Sequence, residues 1–317
     1  GISMKTISEL EDGDHIIAQF LVNGCLKGVT TGSRSYLTVN FQDATGTMDA
    51  KKWDVAPGDE ELFVPGNIVE VEAEVISYKN ALQMKIMDGR PLSQDNIDFT
   101  RFVPSSPVPK TELEKKLNAY LASLKNEDVK KLTEYLVKKN YAAYLDYPAA
   151  VRNHHNFASG LLFHSLCMAD AAESLSKLYP SLNRDVLIAG CLIHDIGKTV
   201  ELSGPVATKF TLEGKLIGHI SIMQAMVKEA ADELKMEGEI PLLMEHMVLS
   251  HHNKAEYGSP VPPETREALA LSMIDDFDAK MNILDKAYQG VTPGEWTQKV
   301  FAFDDRYFYL PLYTKGK

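Results

Sequence analysis

With 317 residues, 44% of them hydrophobic and 24% charged, the chain has room for two domains that each bury a core, and its composition is that of a globular protein. A formal net charge of −11 excludes a general electrostatic grip on nucleic acid and leaves a local basic groove, or bound divalent cations, to meet phosphate. No apolar run approaches a membrane span and the N-terminus lacks a secretory pattern, so no membrane partner is expected. The three cysteines, Cys25, Cys167 and Cys191, are widely spaced in apolar contexts and read as buried free thiols of a cytoplasmic protein. Gly1-Ile2-Ser3 ahead of Met4 reads as the remainder of a cleaved tag.

Residues 4–95 read as an all-β domain. Alternating apolar positions in His15–Val22, Tyr36–Phe41, Thr47–Trp53 and Ile68–Val75, and a short run Leu82–Met87, mark five strands. Turn signals separate them at Thr31-Gly32-Ser33, Asp43-Ala44-Thr45-Gly46, Pro65-Gly66-Asn67 and Lys79-Asn80. Five short strands without a long helix fit a small Greek-key barrel of OB type, a pattern that other small barrels and sandwiches share. Tyr36, Phe41, Trp53 and Tyr78 are interleaved with Arg34, Lys51, Lys52 and Lys79. Aromatic faces beside cations suit single-stranded nucleic acid, with Tyr36, Phe41, Lys51 and Trp53 as the candidate contacts; the alternative is that the aromatics fill the core and the lysines are solvated.

Residues 96–110, with Pro104, Pro107 and Pro109, read as a linker. From 111 to 317 the period becomes helical and an all-α domain is expected, ending in an aromatic tail, Trp296–Tyr313, that should pack on something. Thr111 reads as an N-cap for a helix to about Lys125. Further helices follow over Val129–Lys139, Phe157–Leu178, Arg184–Ile193, Leu216–Lys235, Pro241–Ser250 and Glu264–Tyr288.

Eight of the nine histidines lie between residues 154 and 252. His164 falls mid-helix, His194-Asp195 closes the apolar run Val186–Ile193, His219 opens a helix and His251-His252 closes another. Asp275, Asp276 and Asp278 lie inside the apolar stretch Ala268–Ile283. An aspartate facing a helical core is costly unless paired or metal-bound, and imidazole and carboxylate together are divalent-metal ligands.

Residues 154–280 resemble the HD-domain metal-dependent phosphohydrolases, through His164, His194-Asp195 and Asp275, with His219 and His251 matching members that hold two metals. The whole chain is similar, more narrowly, to the YhaM-type 3′-to-5′ exoribonucleases. The narrower match lies in Gln42–Gly46, Ala50–Trp53, His154-His155 ahead of Gly160-Leu161-Leu162, His246–His252, Glu256–Pro260 and Asp275–Lys280. Asn253 to Gly258 departs from the Glu and Gly-Tyr-Pro of cyclic-dinucleotide phosphodiesterases, which argues against that substrate.

The resemblance implies a first metal held by His164, His194, Asp195 and Asp275, with Asp195 bridging to a second held by His219 and His251; His252 is an alternative or additional ligand. Manganese leads the expected metals, ahead of magnesium, iron and cobalt. Two cations sharing one carboxylate acidify a water whose hydroxide attacks phosphorus in line. Asp195 and Lys198 are the candidate catalytic residues, Lys198 reaching a non-bridging oxygen or else serving as a helix C-terminal cation, and His155 is a candidate phosphate contact. The expected function is a 3′-to-5′ exonuclease that feeds single strands, RNA before DNA, from barrel to metal site and releases nucleoside 5′-monophosphates. A homo-oligomer built through the tail is open. The alternatives are hydrolysis of free nucleotides, and non-catalytic binding of single-stranded or replicating DNA.

Overall fold

The computed structural model describes residues 2–3, 5–93, 97–98, 101–104, 106–150, 157–205, 208–252 and 258–314. The chain divides into two compact units, 1–107 with 204–209, and 108–203 with 210–317.

In the first unit β1 (Ile2–Ser3) lies parallel to the start of β2 (His15–Val29). β2 serves two partners. His15–Leu21 pairs antiparallel with β5 (Ile68–Tyr78), and Leu21–Val29 pairs antiparallel with β3 (Ser35–Asp43). Its register slips between Val22 and Gly24, where the strand turns from one partner to the other. β4 (Gly46–Trp53) continues from β3, and β6 (Ala81–Pro91) pairs antiparallel with β5 and in parallel with β4 through Ala50 and Met84. The five strands β2-β3-β4-β6-β5 thereby close into an OB-type barrel, as the spacing of strands and turns anticipates. β2 runs seven residues past the alternating stretch because pairing with β3, not its own pattern, carries Asn23–Val29.

Inward positions of these strands form one core: Ile16, Phe20, Leu37, Val39, Phe41, Val71, Ala73, Val75 and Met84. A short helix α1 (Asp59–Leu62) ends at Phe63, which is buried 6.0 Å from Phe41, ring centroid to centroid. Phe41 is therefore a core residue, against the expectation that it contacts nucleic acid. It lies an odd number of residues from Tyr36, and a strand points such positions to opposite faces. Part of the proline-rich stretch also packs on this unit: Phe102 is buried against Leu21 and Ile68, and Gln42 donates a hydrogen bond to its carbonyl (2.8 Å).

The second unit is helical: α2 (Lys110–Ser123), α3 (Glu127–Lys139), α4 (Tyr141–Asp146), α5 (Gly160–Leu178), α6 (Arg184–Ile193), α7 (Lys198–Glu201), α8 (Leu212–Ile217), α9 (His219–Glu233), α10 (Ile240–Ser250) and α11 (Arg266–Ala287). α2 starts two residues earlier than expected, with Pro109 instead of Thr111 as the N-cap, so Thr111 lies inside the first turn. The run read as one helix from Leu216 is broken at Gly218, whose φ of +83° a helix cannot accommodate. α6 is buried on every side, from Val186 to Ile193, and forms the centre of the unit. The tail folds on itself through bridges Trp296↔Tyr309 and Val300↔Arg306, burying Val300 and Phe303 and leaving Trp296 and Phe301 exposed. Of the cysteines only Cys191 is fully buried; Cys25 and Cys167 are half-buried, and all three are free. Among the described residues no helix is long and apolar enough to cross a membrane.

Phe41→Ala is expected to destabilise the barrel by about 3–5 kcal/mol, the cost of a large core truncation, read as a shift in its urea-unfolding transition. A shift below about 1 kcal/mol would contradict its placement in the core.

Candidate metal centre and nucleic-acid face

Five helices bring the histidines and aspartates together. His164 lies on the buried face of α5, and Asp275 and Asp278 lie mid-way along α11. His194 is the C-cap of α6 with Asp195 directly after it; His219 is the first residue of α9; His251 is the C-cap of α10. The donor atoms of His164, His194, Asp195 and Asp275 all lie within 4.8 Å of one another, as do those of His219, His251 and His252.

Asp195 joins the two groups. Its Oδ2 lies 3.2 Å from His194 Nε2 and 3.8 Å from His164 Nε2, and its Oδ1 lies 3.5 Å from Nε2 of both His219 and His251. Asp275 Oδ1 lies 2.8 Å from His164 Nε2 and 3.8 Å from His194 Nε2. His252 Nδ1 is further out, 4.0 Å from Asp275 Oδ2 on a side chain 31% exposed, so His251 is the inner of the adjacent pair. Asp276 faces outward and pairs with Lys280 (2.9 Å).

Each inner imidazole is anchored through Nδ1. His194 donates to its own helix at the Cys191 carbonyl (2.9 Å), and His251 does the same to Val248 (2.6 Å). His164 donates to Asp278 Oδ2 (2.6 Å), and His219 to Glu201 Oε2 (3.2 Å). With Nδ1 occupied as a donor, Nε2 is left to face the centre. His194 Nε2, Asp195 Oδ1, His219 Nε2 and His251 Nε2 are buried without a hydrogen-bond partner. Buried nitrogen and oxygen atoms that converge on one carboxylate without a hydrogen-bond partner are what a divalent cation satisfies, and the donor set fits one.

The charges of the cluster without a cation follow from its packing. Burial penalises the carboxylate of Asp195, but His194 and Lys198 outweigh it and hold its pKa well below the usual range. Burial likewise opposes ionisation of Asp275, and His164 and His194 overcome it. The same contacts act in reverse on the imidazoles. Burial works against the cation of His194, yet Asp195 and Asp275 push its pKa up to about 10, and Asp275 and Asp278 raise that of His164. Burial lowers His251, and burial together with the facing His251 ring pushes His252 down to about 3.

Lys198 opens α7 and does not sit at a helix C-terminus. Its Nζ donates to the Ala149 carbonyl (2.8 Å) and lies 3.2 Å from Asp195 Oδ2, so it is part of the cluster. Glu201, buried, was not among the residues that the sequence singles out. A lone glutamate in a four-residue helix carries no local signal, and its partner stands eighteen positions downstream. His155 lies outside the described residues.

On the barrel, Tyr36 and Trp53 are register partners on β3 and β4 with ring centroids 5.1 Å apart. Lys51 Nζ lies 4.2 Å above the Tyr36 ring and donates to Thr38 Oγ1 (3.0 Å). Arg34 lies 4.7 Å above the Trp53 ring and pairs with Asp54 (3.0 Å). The Tyr36 ring also covers Gly28, where a Cβ would stand 2.3 Å from Tyr36 Cζ. Tyr36, Lys51 and Trp53 thus form one half-exposed outer face, a stacking surface with cations at hand.

The HD domain family matches residues 161–280. The 3′-5′ exoribonuclease YhaM of Bacillus subtilis (strain 168) is 44% identical over 312 residues, which cover 98% of this chain and 99% of that one. Among solved structures, the second OB-fold domain of replication protein A from Methanococcus maripaludis is 16% identical, covering 30% of this chain and 100% of that one, with a TM-score of 0.25. The OB domain of Ta0387 from Thermoplasma acidophilum is 13% identical, covering 31% and 92%, with a TM-score of 0.26.

Because both ring nitrogens of His164 face carboxylate oxygens and Asp195 and Asp275 raise the pKa of His194, loading the metal-free protein at neutral pH is expected to release on the order of one to two protons per chain. Calorimetric titration in buffers of different ionisation enthalpy reads that number directly. Metal uptake with no dependence on buffer would show that both imidazoles are already neutral.

Proposed function

The chain belongs to the YhaM family of 3′-to-5′ exoribonucleases, and from that membership we propose a divalent-metal-dependent 3′-to-5′ exonuclease that prefers RNA to single-stranded DNA and releases nucleoside 5′-monophosphates. The observation that carries the proposal is the convergence of four Nε2 atoms on the Asp195 carboxylate, with Asp275 against two of them, three of those nitrogens and an Asp195 oxygen lacking any hydrogen-bond partner. Two cations are the assignment: one held by His164, His194, Asp195 and Asp275, the other by Asp195, His219 and His251, with His252 at its open side. Manganese leads among them, with magnesium, iron and cobalt as alternatives for a mixed nitrogen and oxygen donor set. When bound, such ions acidify a water for attack on phosphorus and neutralise the charge that builds on the phosphate oxygens.

The protein's own groups supply positioning. Asp195 presents one oxygen to each side of the cluster, and its neighbours Ile193 and Ile196 are fully buried, which fixes the main chain there. Lys198, tethered to the Ala149 carbonyl, keeps an ammonium beside Asp195, where a phosphate oxygen would gain a cationic donor. On the barrel, Tyr36 and Trp53 offer two adjacent rings for stacking bases, and Lys51 and Arg34 offer charge for the backbone. The three free cysteines support a reducing, cytoplasmic setting.

A time course on 5′-labelled single-stranded RNA with manganese is expected to show a ladder shortening from the 3′ end, absent with Asp195→Ala and abolished by chelation. Intact RNA with wild type, alongside turnover of free nucleotides, would replace this reading with a nucleotide phosphohydrolase. Trp53→Ala should weaken single-strand binding by about 1–3 kcal/mol, the worth of one stacked base, while leaving hydrolysis of a dinucleotide unchanged. Unaltered affinity in a filter-binding titration would remove the barrel face from the reading.

A further inference from the structure

The imidazoles of the cluster are backed in a paired pattern. In the group around Asp275, His164 is held by a carboxylate, Asp278, and His194 by a main-chain carbonyl. In the other group His219 is held by a carboxylate, Glu201, and His251 by a main-chain carbonyl. The second group is the more open: the His219 side chain is 17% exposed and that of His252 31%, against 1% for His164 and 0% for His194.

Glu201 is built into place with unusual care for a residue of a short helix. Its Oε2 accepts from both the main-chain N–H (2.8 Å) and Nδ1 (3.2 Å) of His219. Its carbonyl accepts from the main-chain N–H (2.9 Å) and Oγ1 (3.1 Å) of Thr211. Two glycines permit the approach. A Cβ on Gly214 would stand 2.5 Å from the Glu201 carbonyl oxygen, and one on Gly197 would stand 2.6 Å from that of His219. One side chain thereby fixes where the first residue of α9 lies and which way its ring turns.

Resting on the two-metal reading above, we propose that Glu201 is a positioning residue that sets occupancy of the outer metal site. By holding His219 as the Nδ1–H tautomer it aims Nε2 at Asp195 Oδ1, and its negative charge strengthens that nitrogen as a donor. The inner site shares Asp195 with the outer one, but Glu201 touches none of its ligands, so the first ion should be little affected. Glu201 thus sets how readily the second ion is held. A purely structural role, capping α9 through the His219 N–H, differs in consequence. Glu201→Gln keeps an oxygen acceptor for that N–H and removes only the charge.

The test is manganese binding to the metal-stripped full chain, by calorimetry and by electron paramagnetic resonance of Mn²⁺ alone. Wild type is expected to take up two ions and show a spin-coupled pair. E201Q should keep the first affinity within about twofold and lose roughly 10- to 100-fold in the second, leaving a mononuclear signal at two equivalents of metal. Glu201→Asp, which retains the charge on a shorter arm, should recover part of the second affinity, and His219→Ala should lose the second ion altogether. Wild-type binding of both ions by E201Q would overturn the proposal. So would equal weakening of both sites together with a fall in Tm, since a structural role alone produces that. A wild-type chain that takes up fewer than two ions would instead sink the two-metal reading itself, whatever the variants do.

Discussion

The metal centre depends on one interaction made four times, a hydrogen bond from imidazole Nδ1 to a fixed acceptor. An imidazole has two nitrogens and two tautomers, and a free histidine at a helix end would sample both. Satisfying Nδ1 locally leaves Nε2 as the donor atom and fixes the plane of the ring. Two of the four acceptors cost the fold nothing extra. The last carbonyls of a helix have no partner within it, and His194 and His251, as C-caps of α6 and α10, each use the carbonyl three residues back. The same helix ends carry partial negative charge, which favours a cation nearby.

This arrangement makes the site expensive as an ordinary core. It buries two carboxylates and three imidazoles among Leu, Ile and Ala side chains, with His219 part-buried beside them, and leaves several of their polar atoms without partners. Such groups are tolerated in a fold when a ligand recovers the loss. In its absence the cluster rearranges its protons, with Asp195 and Asp275 ionised and His194 protonated far above the imidazole range. A divalent cation replaces those protons and stabilises the same two carboxylates, so the packing is consistent with one charge distribution in both states. The fold supports this through α6, whose all-round burial holds the His194-Asp195 step rigidly, and through Tyr144, which donates to the Leu192 carbonyl (2.6 Å) just before it.

What the sequence made legible follows the range of each signal. The barrel's strands and the long helices are written in local periodicity, and so is the series His164, His194-Asp195, His219, His251 and Asp275, because imidazoles on apolar helix faces stand out against their neighbours. Phe41 belongs to the core by its parity with Tyr36, because alternation along β3 and not aromatic content decides which face a ring takes. The break at Gly218 was hidden by apolar residues on both sides, which keep the helical pattern running across a glycine whose φ ends the helix. Glu201 was out of reach for a different reason. Its role exists only once α7 is brought against α8 and α9, and those approaches depend on Gly214 and Gly197 respectively, two glycines that no helical or strand pattern marks out.

On the function proposed above, the outer face of the barrel is where an acidic protein would meet a polyanion. A chain with net charge −11 cannot attract nucleic acid at long range, so any affinity must come from contacts made at short range. On β3 and β4 each aromatic ring is already covered by a cation, Lys51 on Tyr36 and Arg34 on Trp53, and each cation has a second tie, to Thr38 or Asp54. The face is small, two rings wide, and on that reading would hold a short stretch of single strand loosely enough to let it move. That is the requirement of an enzyme that shortens its substrate one nucleotide at a time, for which a tight grip on any one register would slow every following step.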